Sequence, residues 1–141
     1  MGQSIRGFGG VLQVTGSVRY VGSVHRFRRL HVWDEAIAVA TQIYDMTKTY
    51  PNAERFGLVQ QMRRAAVSIS SNIAEGAGRG SSKEQARFLR VAVGSLCELE
   101  SQVELSRRLG YLDDVDDLLA QTGLLKARII TLEKKTLGPD T

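Results

Sequence analysis

Arg63, Arg64, Arg79, Lys83, Arg87 and Arg90 are the side chains best suited to a chemical task. Guanidinium and ammonium groups gathered in one stretch can hold the phosphates of a nucleic acid. From residue 55 to 90 seven basic residues face only Glu75 and Glu84, a balance of +5; from 98 to 117 seven acids face Arg107 and Arg108, a balance of −5. Two readings of that asymmetry stay open. A basic patch repeated around an assembly would attract RNA or DNA, with affinity falling steeply as salt rises. Alternatively, the positive region of one subunit meets the negative region of the next, and the charges serve assembly. For the charges themselves the second reading carries more weight. Stacking of unpaired bases is not expected, because Phe88 is the one aromatic between Arg63 and Arg90 and its place in the pattern marks it as core.

Catalytic chemistry finds fewer candidates. Carboxylate-bridged metal sites in helical bundles use Glu-x-x-His pairs, because carboxylate and imidazole from facing helices must reach one ion. The sequence contains none. Glu98, Glu100 and Glu104 suit ion pairs with Arg107 and Arg108 on a solvated or intersubunit face. Asp113, Asp114, Asp116 and Asp117 suit the start of a helix, and they lack the alternating ligands and turn glycine of a calcium loop. Cys97 is the single cysteine, distant in sequence from His25 and His31, so it is expected to be a buried structural thiol and not a nucleophile. No intrachain disulfide can form, which makes the cytoplasm the expected compartment. The expectation is a protein without catalysis, metal or cofactor.

Four amphipathic helices must position these groups. Val32, Trp33, Ala36, Val39, Ala40, Ile43 and Tyr44 recur at three- and four-residue steps and predict a helix from about His31 to Thr49, ended by Pro51. A second helix, from about Glu54 or Phe56 to Ala77, carries Leu58, Met62, Ala65, Ala66, Ile69 and Ile73 as its apolar row. Its hydroxyl and amide residues Ser68, Ser70, Ser71 and Asn72 compete with the helical backbone. They are expected to allow close helix approach, with Asn72 bonding across the contact. Gly76, Gly78 and Gly80 are expected to supply positive φ at its end. Ser81, three residues before Glu84, has the capping-box spacing that opens a third helix of roughly 27 residues, about 40 Å long. Its core face is read as Phe88, Leu89, Ala92, Leu96, Leu99, Val103, Ser106 and Leu109, with Gly110 closing it. The last helix follows the aspartates, buries Val115, Leu118, Leu119, Thr122, Leu125, Ile129 and Leu132, and stops at Gly138 and Pro139. Short loops between long helices imply antiparallel neighbours. The expected fold is therefore all-α, an up-down-up-down antiparallel four-helix bundle over residues 26–141.

Residues 1–25 fall outside that pattern. They are rich in glycine and show no sustained periodicity, so a flexible N-terminal extension is expected there, with neither a signal peptide nor a myristoylation motif. Residues 1–30 carry five arginines and no acid, a balance of +5, against a formal net charge of +4 for the whole chain. The basic character of the composition thus belongs to this segment, and the remainder balances at −1. A chain of this size buries roughly two-thirds of its unfolded surface, enough for one real core. No run approaches the roughly 20 apolar residues of a membrane span, so no membrane partner is expected.

The stretches LHVWDEAIAVATQIYDMT, YPNAERFGLVQQMRRAAVSISSNIAEGAGRGS and EQARFLRVAVGSLCELESQVELSRRLGYL, with the closing amphipathic helix, resemble the bacterial four-helix bundle proteins encoded in 23S rRNA intervening sequences. The resemblance covers about residues 26 to 137. It implies a left-handed up-down bundle that assembles with itself as a ring-like homopentamer. A similar fold occurs in the accessory protein of diversity-generating retroelements, which is basic and associates with nucleic acid and reverse transcriptase. The third helix carries more apolar surface than one core needs, and the second has a small-residue face at Ser68, Ser71 and Glu75 flanked by Arg64; both fit packing between subunits. The expected role is a non-catalytic homo-oligomeric binding or scaffold protein with RNA or DNA as favoured partner. The six cations named first are its phosphate contacts. The alternative is a protein-protein interaction module whose charges serve ring assembly.

Overall fold

Apolar side chains at helical spacing make four helices, and the breaks between them trace to particular residues. The computed structural model describes residues 26–139; the extension expected over 1–25 lies outside the described residues. After a 3-10 turn at Arg26–Arg29, α1 (His31–Met46) buries Val32, Ala36, Val39, Ala40 and Ile43. Its last turn runs on into a 3-10 turn over Thr47–Thr49, where the Thr47 hydroxyl donates to the Ile43 carbonyl at 2.7 Å beside the backbone N–H of the same residue. Pro51 then blocks continuation. A short turn at Asn52–Glu54 leads into α2 (Leu58–Gly78), so Phe56 lies before the helix and not within it. Glu54 holds this entry from both sides: Oε1 accepts from Leu58 N at 3.4 Å, and Oε2 accepts from the Tyr111 hydroxyl at 2.9 Å.

α2 meets α3 (Ser82–Arg108) across the most extensive interface in the bundle. Small residues explain how close the two come. A Cβ on Gly76 would stand 2.9 Å from Phe88 Cβ and 3.1 Å from the Gln85 carbonyl. The positive φ expected at Gly76, Gly78 and Gly80 is absent; α2 ends instead on an extended Arg79, and Gly76 is required by proximity. Ser68 Oγ shares a hydrogen bond with Ser95 Oγ at 2.9 Å across the interface, while Asn72 bonds within its own helix to the Ser68 carbonyl and hydroxyl. The cross-helix bond expected of Asn72 therefore belongs to Ser68, whose shorter side chain reaches the facing helix. Ser81 Oγ accepts from Glu84 N at 3.1 Å, the first half of the capping box its spacing predicts, while the Glu84 carboxylate turns to Arg87.

The end of α3 is a Schellman turn. Tyr111 N donates to the Ser106 carbonyl at 2.9 Å and Gly110 N to the Arg107 carbonyl at 3.0 Å, with Gly110 at φ 84°. Asp114 Oδ1 then accepts from Asp116 N at 2.9 Å and starts α4 (Asp116–Leu137), which Gly138 ends at φ 87°.

α1 packs on α2, α2 on α3, α3 on α4, and a smaller α1–α4 contact completes the up-down-up-down bundle. The core holds Ile43, Met62, Ile69, Ile73, Leu89, Leu96, Leu99, Leu125 and Ile129, each fully buried. Side chains of this kind contribute about 1.5–3 kcal/mol apiece on leaving water. Two expectations for α3 are corrected. Leu109 is half exposed, because the chain turns at Gly110 before the helix can carry it into the core, and Cys97 is exposed on the outer face of the helix. Among the described residues no strand occurs and no helix is long and apolar enough to cross a membrane.

Candidate nucleic-acid interface

The six cations singled out in the sequence divide into separate groups. Arg64 lies near the start of α2 and Arg79 just past its end, and a rise of about 1.5 Å per residue sets them about 22 Å apart. At the α2–α3 turn, Arg79 and Arg87 place their guanidinium carbons 4.9 and 4.5 Å from the Phe88 ring centroid and cover that aromatic. Arg79 also pairs with Glu75 at 2.7 Å, and Arg87 makes a two-pronged contact with Glu84 at 3.2 and 3.3 Å. The Arg87 hydrogen bond, reinforced by the charges of Arg87, Arg79 and Lys83, holds Glu84 below the usual carboxylate range. Lys83 is exposed beside them and makes no ion pair among the described residues. Three cations against two carboxylates leave this end near +1.

Arg90 is tied to a residue outside the basic stretch. Its guanidinium holds Glu133 of α4, whose side chain is 11% exposed while that of Arg90 remains 74% exposed. The pair links α3 to α4 and cancels the charge that sequence counting assigns to Arg90.

Arg63 does structural work at the end of α1. Its Nε donates to Thr47 Oγ1 at 2.9 Å, its Nη2 donates to the Tyr44 carbonyl at 3.1 Å, and its guanidinium stands 4.5 Å from the Tyr44 ring centroid. Carbonyls at a helix end lack partners within the helix, and a guanidinium supplies them. Arg64, next in sequence, points to solvent in a groove that it shares with Arg55, Arg63, Tyr44 and Phe56. No carboxylate lines this groove. The surplus positive charge of residues 55–90 therefore collects at the start of α2, and aromatic rings stand beside it. Sequence reading missed this because Tyr44 comes from another helix and Phe56 reads as the first residue of α2.

The carboxylates on α3 are engaged. Glu100 accepts from Lys126 Nζ at 2.7 Å and Thr122 Oγ1 at 2.8 Å, and Glu104 accepts from both Arg107 and Arg108. Among the described residues no group of three or more metal-ligating side chains comes together.

Residues 28–131 match the family described as 23S rRNA-intervening sequence protein, over most of the chain and all of α1, α2 and α3. The chain belongs to that family. No curated protein matches it. In this intervening-sequence family member the matched region contains all six candidate cations and the aromatic groove, and it stops within α4, just before Glu133.

Proposed function

We propose that this intervening-sequence family protein is a non-catalytic, self-associating cytoplasmic scaffold that binds RNA or DNA through phosphate contacts on the α2–α3 hairpin. The observation that carries this reading is the exposure of Arg79, Lys83 and Arg87 at the α2–α3 turn, where Glu75 and Glu84 oppose them, and of Arg64 in a groove that no carboxylate lines, while Arg90 is exposed but paired with Glu133. Arg79 and Arg87 are held in fixed directions by ring and carboxylate contacts, so less side-chain entropy is lost when a phosphate is bound. The ribosomal RNA in the family's description points toward the same class of partner.

A second reading has its own observation. The outer face of α3 exposes Val91 and Leu105 at 43 and 47%, and Leu109 just past its end is 50% exposed, which suits a neighbouring subunit or another protein. One double variant separates the two. Lys83→Glu with Arg87→Glu is expected to weaken binding to labelled single-stranded RNA and duplex DNA in fluorescence anisotropy, by about tenfold at low salt, and to lower the salt slope by about 2. Unchanged affinity in a still-assembled protein overturns the phosphate role. Dissociation to monomers, read by light scattering, transfers those charges to assembly. Lys83 and Arg87 suit this test because neither ties two helices together, whereas Arg90 does.

A further inference from the structure

The groove at the start of α2 combines three features. It is an open groove of about 470 Å³ between the end of α1 and the first turns of α2. Phe56 stands there 81% exposed with the Arg55 guanidinium 5.3 Å from its ring centroid, and Tyr44 is 42% exposed beneath Arg63. Arg55 and Arg64 are both exposed, and neither makes an ion pair among the described residues.

An aromatic ring this open contributes little to the core, and its apolar area is stabilising only once something covers it. Charge selects the occupant. A groove lined by three guanidiniums and no carboxylate attracts an anion, and two rings within the same groove favour an anion joined to a flat π-surface. A nucleotide joins those two parts, and the volume falls within the range of small-ligand pockets. Arg63 is already bonded to Thr47 and the Tyr44 carbonyl, so the phosphate contacts fall to Arg55 and Arg64. A duplex does not fit this chemistry, because its bases are stacked on one another and offer no free face.

We propose that this groove seats one unpaired nucleotide of a single-stranded RNA or DNA, the base against Phe56 and the phosphate between Arg55 and Arg64. The proposal rests on the nucleic-acid reading above and narrows it to single strands. Stacking of this kind tolerates any base, so the seat is expected to discriminate strand state and not sequence.

The test uses the full chain with a labelled oligouridylate, an oligothymidylate of equal length and a blunt duplex. Phe56→Ala is expected to weaken both single-strand arms by about tenfold, with the duplex arm and the salt slope unchanged, and Phe56→Trp to restore them. Arg64→Glu is expected to weaken the same arms and reduce the salt slope by about 1. The two single-strand arms distinguish RNA from DNA as the source of the nucleotide. Photocrosslinking from 5-iodouridine is expected to map to the peptide containing Phe56. Wild-type affinity of Phe56→Ala for single strands overturns the seat while leaving the nucleic-acid reading intact. Binding by the wild-type chain to the duplex alone does the same, and binding to none of the three probes overturns both. A fall in assembly size on Phe56→Ala assigns the groove to a second copy of the chain and removes the seat.

Discussion

At the residue scale, the chemistry of each charge is decided by its nearest partner. Glu104 illustrates this on the exposed end of α3, where hydrogen bonds from Arg107 and then Arg108 lower its carboxyl from 4.5 to about 2. The folded value lies below the unfolded one. The contact therefore adds stability above about pH 4.5, loses it as pH falls, and adds none once pH passes below about 2. A carbon-detected NMR titration is expected to show Glu104 with a midpoint near about 2, rising toward 4.5 in the Arg107→Ala, Arg108→Ala double variant. A wild-type midpoint above 4 would show that the two arginines do not hold it. The Tyr50 hydroxyl presents the opposite situation. It is buried without a hydrogen-bond partner among the described residues, and burial pushes its phenol up against a smaller opposing effect of Ser106. Ser106 Oγ itself donates to the Gln102 carbonyl at 2.8 Å.

At the scale of elements, the α2–α3 hairpin depends on how closely its two helices approach. Gly76 sits where a methyl group would press on Phe88 Cβ and the Gln85 backbone. Helix propensity alone favours alanine there by about 1 kcal/mol, but backbone cannot yield cheaply, and overpacking costs about 1–3 kcal/mol. Gly76→Ala is expected to lower stability by about 1 kcal/mol or more in denaturant unfolding. Gly94→Ala on the open face of α3, where an added Cβ meets nothing within 4 Å, is expected to raise it by about 0.5–1 kcal/mol. Equal effects of the two would show that proximity does not dictate Gly76. The same displacement of Phe88 would loosen Arg79 and Arg87, which rest on its ring.

At the scale of the whole molecule, the charge distribution matters more than its total. Residues 1–25 contribute Arg6 and Arg19 and no acid, so residues 26–141 retain +2 of the net +4. If the bundle carries the nucleic-acid site, deleting 1–25 is expected to lower the salt slope of binding by no more than about 2 and to leave the dependence on Phe56 unchanged. Circular dichroism confirms the helical fold of the shortened chain in the same experiment. Complete loss of binding on deletion would move the interaction to the basic extension and off the bundle.

The sequence by itself determined four helices, the Ser81 cap, the Gly110 and Pro51 stops and nearly all of the core, because these follow from spacing within a few residues along the chain. It also determined that no Glu-x-x-His metal pair exists. Only the tertiary structure decided which cations keep their charge available. Arg90 meets Glu133, Arg63 meets Tyr44 and Thr47, and Glu54 meets Tyr111, partners brought near by packing and distant in sequence. Counting charge along the chain placed +5 over residues 55–90 and treated it as one patch. Folding spread it along a helix, neutralised part of it across helices, and set Arg55 and Arg64 beside two exposed rings. Electrostatic interactions fall off over distances in space. A linear count therefore finds the charges, and the fold alone decides which of them remain to bind.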